Sequence, residues 1–212
     1  YYNMKKILLS GVASFFAIST QAQEINLGLR AGVNYASISG DDAQNTSYRA
    51  GLLAGAIVNF GLTDAFSIQP EFNYSAKGYK HETTVGNVTT TERVRLNYLD
   101  VPLLAHIKAG GLFFELGPQM SFALSGKQED EVKKVEANGS ENTTTKTKTI
   151  DDNPYTIDFG YAAGLGYRMP SGLGVGLRYS GGLKNIFDEG PSTDKNMRHS
   201  LFQLSISYVT GY

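Results

Sequence analysis

Three histidines, His81, His106 and His199, are the candidate bases or metal ligands in this chain of 212 residues. A nucleophile needs such a base within hydrogen-bond reach. His199 and Ser200 are adjacent, so on a strand they would face opposite sides and could not form that pair directly. His81-Glu82 falls in a polar loop, and His106 reads as a polar filler of a barrel interior. No G-x-S-x-G elbow, H-E-x-x-H helix or EF-hand loop is present. Asp41-Asp42 and Asp151-Asp152 could draw a divalent cation, but paired loop acids are more often simply solvated. The chain has no Cys. That excludes disulfides, thiolate zinc sites, cysteine nucleophiles and a lipidated cysteine. Gly164-Leu165-Gly166 is followed by no helix and cannot cradle a phosphate. Sequons such as Asn45-Thr46-Ser47 and Asn138-Gly139-Ser140 are what chance gives in loops rich in Asn and Thr. No catalytic residue, cofactor site or metal site is therefore expected.

The chemistry that remains is electrostatic. Arg30, Glu71, Lys77, Asp100, His106, Lys108, Glu115, Asp158, Arg168 and Arg178 each stand in the polar phase of an alternating run. A charge enclosed without a partner is costly, so these acids and bases are expected to pair. The reading commits to a structural network of Arg30, Glu71, Asp100, Glu115, Asp158 and Arg178. Within it, Arg30 and Arg178 reach Glu71, Asp100 or Glu115.

The elements that must hold them are strands. Eight runs alternate: Glu24–Tyr35, Tyr48–Phe60, Phe66–Lys77, Arg93–Ala109, Leu112–Ser125, Tyr155–Arg168, Leu173–Ser180 and His199–Tyr208. In Phe66–Lys77 the apolar phase is Phe66, Ile68, Pro70, Phe72 and Tyr74, opposite Gln69 and Glu71. Short connections (Gly61–Ala65, Gly110-Gly111, Met169–Gly172) alternate with long polar ones (Ala36–Ser47, Gly78–Glu92, Gly126–Asn153, Gly181–Arg198). That rhythm predicts an all-β, eight-stranded, antiparallel up-and-down transmembrane barrel with a polar, side-chain-filled lumen, turns inside and loops outside. Tyr35, Phe60, Phe66, Tyr155, Tyr167 and Tyr208 lie near the ends of the apolar phase, where interfacial girdles belong. The composition agrees, with 24 Gly, 13 Tyr and 11 Phe. Glycines on the polar phase make room in a narrow lumen. A soluble sandwich or lipocalin-like carrier, greasy face inward, remains the rival arrangement. Pro70, Pro102 and Pro118 sit mid-strand, where proline removes a ladder donor. They call for bulges or for different strand boundaries.

Met4-Lys5-Lys6, the apolar stretch Ile7–Ile18 and Thr20-Gln21-Ala22 read as a secretory signal peptide. Residues 1–22 are expected to be removed and 23–212 to form the barrel domain. A formal net charge of -1 offers no general attraction to nucleic acid.

"IQPEFNYSAKG" (Ile68–Gly78), "NYLDVPLLAHIKAG" (Asn97–Gly110), "LGPQMSF" (Leu116–Phe122) and "LRYSGGLKNIF" (Leu177–Phe187) resemble the PorT-like outer-membrane β-barrel family of Bacteroidetes. The resemblance covers nearly the whole mature chain and implies an eight-stranded barrel in the outer membrane. Its name comes from a member tied to protein secretion, a role that is not carried over here.

The expected function is that of a monomeric, non-enzymatic outer-membrane barrel. It would serve envelope integrity, or bind a partner protein or surface ligand through its outer loops. Its expected partners are outer-membrane lipid and another envelope protein. The alternatives are a lipid-modifying enzyme of the outer membrane and an accessory part of a secretion system. The enzyme would need a Ser or Tyr beside His and an acid, a trio that the sequence does not offer. The longest loop, Gly126–Asn153, holds few large apolar residues. It is expected to be mobile or a short exposed hairpin, with Thr143–Ile150 extending its flanking strand.

Overall fold

Alternation lets the greasy face of a sheet point either way, and closure of the sheet decides which. The computed structural model describes residues 24–39, 46–135, 140–149, 157–183 and 198–211. The described residues form ten strands: β1 (Ile25–Ser39), β2 (Thr46–Ser47), β3 (Arg49–Gly61), β4 (Phe66–Val85), β5 (Val88–Ala109), β6 (Leu112–Val135), β7 (Glu141–Thr149), β8 (Ile157–Arg168), β9 (Leu173–Gly182) and β10 (Arg198–Val209). Eight of them close a ring in the order β1-β3-β4-β5-β6-β8-β9-β10, every neighbour antiparallel. β2 adds to the upper part of β4 and β7 to the upper part of β6.

The register fixes the tilt. From Phe113 the cross-strand partners run Gly166, Gly176, Ser205, Gly32, Leu53, Ser75 and Tyr98. The circuit then returns to β6 at Ala123, ten residues beyond its start. Eight strands with that stagger tilt about 40° from the barrel axis, so each residue climbs about 2.5 Å. Both ends of the barrel chain lie on the short-turn rim, where Thr210 Oγ1 accepts from the Leu27 amide at 3.1 Å. Gly110 (φ 63°) and Gly172 (φ 87°) supply the left-handed turn positions on that rim.

Two adjacent leucines show which face is inside. Leu103 is 51 % exposed and Leu104 is 0 % exposed. The same division runs round the wall. Leu29, Leu52, Phe72, Phe114, Leu165, Leu177 and Ile206 are exposed, while Arg30, Glu71, Asn73, Glu115, Arg178 and Gln203 are buried. A greasy-side-in carrier is thus the wrong arrangement for this chain. Among the described residues no helix is long and apolar enough to cross a membrane.

Two expectations are corrected. The mid-strand prolines need neither bulges nor shifted boundaries. Pairing simply lapses on one side of each: β3–β4 partners jump from Ile57↔Glu71 to Phe60↔Ile68, passing Pro70. Likewise β4–β5 skips Pro102 and β5–β6 skips Pro118, while the other flank of each proline stays paired. The only register shift on β5–β6 lies at Asn97/Tyr98. Next, Gly78–Glu92 is not a loop, because β4 and β5 stay paired to a tight turn at Gly86 (φ 60°) and Asn87. Its Thr and Val residues favour a strand over irregular chain. Thr143–Thr149, by contrast, does what was expected of it: as part of β7 it pairs with β6 on the flank that β8 occupies lower down, extending the line of that strand as one arm of an exposed hairpin. The signal peptide, Asp41-Asp42, Asp151-Asp152 and Tyr155 lie outside the described residues.

Candidate functional site

Near mid-height the lumen is filled by four charged side chains, one from every second strand of the ring: Arg30 (β1), Glu71 (β4), Glu115 (β6) and Arg178 (β9). Two of the strands between them contribute glycines in register, β3 with Gly55 beside Arg30 and β8 with Gly164 beside both Glu115 and Arg178. A Cβ on Gly164 would stand 2.6 Å from Glu115 Oε1, so glycine there is what admits the carboxylate. Alternating large and small residues is how a narrow barrel fits its own filling.

The Arg178 guanidinium donates from Nη1 and Nη2 to Glu71 at 2.7 and 2.9 Å, and from Nε to Glu115 Oε1 at 2.6 Å. Arg30 Nη1 donates to Glu71 Oε2 at 3.2 Å, and its Nη2 lies 3.6 Å from Glu115 Oε2. Gln69 and Asn73 donate their side-chain amides to Glu71 at 2.7 and 2.9 Å. Gln69 in turn accepts from Asn59 at 3.1 Å. Glu71 therefore receives five donors, and the four charges sum to zero. Such charge-assisted, forked bonds are strong only while every member is present.

A second layer lies toward the loops. Lys77 Nζ donates to Asp100 Oδ1 at 2.7 Å and to Ser121 Oγ at 3.3 Å, 4.6 Å from the centre of the Tyr98 ring. A cavity of about 10 Å³ beside it, lined by Lys77, Gln119, Ser121, Asp158 and Ser180, has room for roughly one water. A third layer lies toward the turns. His106 stacks on Phe113 with ring centres 4.8 Å apart, and the Arg168 guanidinium lies 5.2 Å from the same ring. Arg168 Nη2 also donates to Ser207 at 3.4 Å. Below this, an open cleft of about 400 Å³ at the turn rim is bordered by Glu24, Thr63, Asp64 and Lys108.

The six residues expected to form one network are thus split. Arg30, Glu71, Glu115 and Arg178 share one cluster. Asp100 pairs with Lys77 rather than with either arginine, and Asp158 borders the small cavity above. The register explains the split: Asp100 is level with Asn73 and Ser121, above the ring of four. Sequence reasoning missed the amides that finish the cluster, Gln69 and Asn73, and the apolar plugs Leu104, Phe113, Tyr98 and Ile57, all buried. Their inward phase was the available signal.

Among the described residues no trio of nucleophile, base and acid sits in a pocket. Thr83 Oγ1 lies 3.1 Å from His81 Nε2, and His81 pairs with Glu92, but this group stands on an open sheet face. Neither ring nitrogen of His106 has a hydrogen-bond partner, and the ring is buried. Among the described residues no group of three His, Asp or Glu side chains is placed to hold a metal ion.

The family model described as "Outer membrane protein beta-barrel domain" matches residues 21–188. No curated protein matches. Among solved structures the chain is similar to Ail of Yersinia pestis (8 % identity, 88 % of this chain and 99 % of that one, TM-score 0.46). It is also similar to neisserial surface protein A (12 %, 86 % and 96 %, 0.47) and to CarO2 of Acinetobacter baumannii (10 %, 88 % and 100 %, 0.42).

Proposed function

The chain belongs to the outer membrane protein β-barrel domain family and lies in the bacterial outer membrane; from that premise we propose that it is a non-catalytic, plugged barrel that holds an extramembrane sheet out for a partner. One observation carries this reading. The lumen is packed through three layers of side chains, whereas β4, β5 and β6 continue far past the lipid-facing belt. They form a sheet in the order β2-β4-β5-β6-β7 outside the membrane. A plugged interior argues against a wide aqueous channel. The binding work falls to that sheet and the loops around it. Within the family, the motifs around Gln69-Pro70-Glu71 and Tyr98–Leu103 support a place among the PorT-like barrels of Bacteroidetes, exported by a signal peptide over residues 1–22 and working as a monomer.

The test is gentle-detergent purification from the native membrane, comparing the full chain with a variant lacking Gln128–Lys148. Retention of a component by the full chain and its loss from the variant supports the reading. Identical co-purifying sets would make the sheet a passive extension and leave the barrel an envelope-structural element.

A further inference from the structure

The outward face of the wall changes character within a few residues. Along β5 the lipid-side positions Ile107, Ala105, Leu103, Val101 and Leu99 are apolar. Asn97 follows, and then Arg95. Arg95 is level with Gly78 on β4 and Lys127 on β6. Gly78 takes φ +149°, a region that favours glycine, and has no side chain of its own. The Arg49 guanidinium occupies the vacancy: its Nη1 lies 2.9 Å from where a Cβ on Gly78 would stand and donates to the Lys77 carbonyl at 3.1 Å. The lowest charged row therefore reads Arg49, Arg95, Lys127. Neighbouring strands are about 4.8 Å apart, a spacing at which like charges side by side repel.

Carboxylates stand further out and are already engaged. Glu82 binds Lys80 at 2.7 Å and Glu131 binds Arg93 at 2.7 Å. Glu129 is shared between Arg93 at 3.4 Å and Arg95 at 3.5 Å. Among the described residues the rows together hold five cations against three carboxylates, and the row nearest the membrane is wholly cationic. Its height is decisive. Arg95 lies twelve residues above Ile107 on β5, about 30 Å at the tilt of this barrel. That is the thickness of the hydrocarbon core, so the row meets the headgroup phosphates.

We propose that Arg49, Arg95 and Lys127 form a docking row for the phosphate of an outer-leaflet lipid whose acyl chains lie on the apolar belt beneath, at Leu99, Phe122 and Leu124. The belt supplies the surface for the chains. The row supplies the charge that its own neighbours leave unbalanced. The lipid is read as phosphorylated because a zwitterionic headgroup brings no net negative charge to such a row.

The test uses the full chain in phosphatidylcholine nanodiscs doped with bisphosphorylated lipid A or with its dephosphorylated form. Lipid still bound after detergent extraction is counted by native mass spectrometry. The wild type should retain the phosphorylated lipid in preference to the other. The combined variant Arg49→Gln, Arg95→Gln, Lys127→Gln should retain at least about tenfold less. A control with the same loss of charge higher on the sheet, Lys133→Gln, Lys134→Gln, Lys146→Gln, should retain it like the wild type. If the combined variant fails the heat-modifiable gel-shift check for folding, Lys127→Gln alone is read, with about a fivefold loss expected. Equal retention of the two lipids by the wild type, or equal losses in row and control variants, overturns the proposal.

Discussion

Replacing Glu71 by glutamine removes one charge and almost no volume from the centre of the lumen. Glu71 is 0 % exposed and accepts from Arg178 twice, Arg30 once, Gln69 and Asn73. The substitution takes the four-residue cluster from neutral to a net positive charge, and it sets an amide donor among two guanidinium groups that can only donate. Losing one member of a buried ion cluster costs about 3–5 kcal/mol, mostly because its partners are left buried and unbalanced. Three of the five bonds here come from guanidinium groups, so about 4 kcal/mol is expected. Unfolding by guanidinium chloride in lipid vesicles, followed by heat-modifiable gel mobility, reads the loss as a shift in midpoint. Adding Arg30→Gln restores neutrality, and the double variant should be more stable than the sum of the two single losses by at least about 1 kcal/mol. A loss under about 1 kcal/mol for Glu71→Gln, or strict additivity in the pair, would refute the network as the element that fixes the barrel interior.

Leu103→Arg places a cation on the lipid face and should cost about 2–4 kcal/mol in the same assay; no loss would mean that this face meets water. Deleting Gln128–Lys148 should leave the barrel folded, because Lys127 and Thr149 are cross-strand partners and the lumen layers lie below the cut; failure to fold in detergent would make the hairpin structural. On the outer sheet, burial first and then neighbouring Asp130 push the Glu92 carboxyl above its ordinary value. The folded sheet thus binds that proton more tightly than the open one. Protection of the Val88–Val94 amides from hydrogen exchange should therefore fall as pH rises from the ordinary carboxylate value through the raised one. Glu92→Gln should flatten that dependence, and an unchanged profile in the variant would exclude Glu92 as its source.

The barrel was legible because its wall obeys a period of two. Arg30, Glu71, Glu115 and Arg178 share the phase opposite Leu29, Phe72, Phe114 and Leu177, so their facing follows from parity alone. Height is different: it depends on stagger, which no single strand records. Asp100 was therefore grouped with the arginines although its level places it against Lys77. The proline gaps were hidden for a related reason. Whether a missing donor faces a neighbour or a lapse in the ladder depends on registers on both sides of the strand. In the outer sheet, polarity suggested a loop over Gly78–Glu92, but a Thr-rich run such as Thr89–Thr91 keeps strand pairing once cross-strand partners are in place. Arg49 stayed unnoticed because the space that its guanidinium fills is left by a glycine, visible only once Gly78 and Arg95 are aligned.

The central claim is that one phase of the wall meets lipid while the other fills a closed lumen, and Leu103 and Leu104 test it at neighbouring positions of identical type. The sequence has no cysteine, so Leu103→Cys and Leu104→Cys each give a single nitroxide attachment site. Collision rates with oxygen, which concentrates in the bilayer, and with a water-soluble nickel chelate are then measured by electron paramagnetic resonance in lipid vesicles. The account predicts frequent oxygen collisions and few nickel collisions at position 103, with few of either at position 104. Frequent nickel collisions at position 103, or equal oxygen access at the two sites, would contradict it.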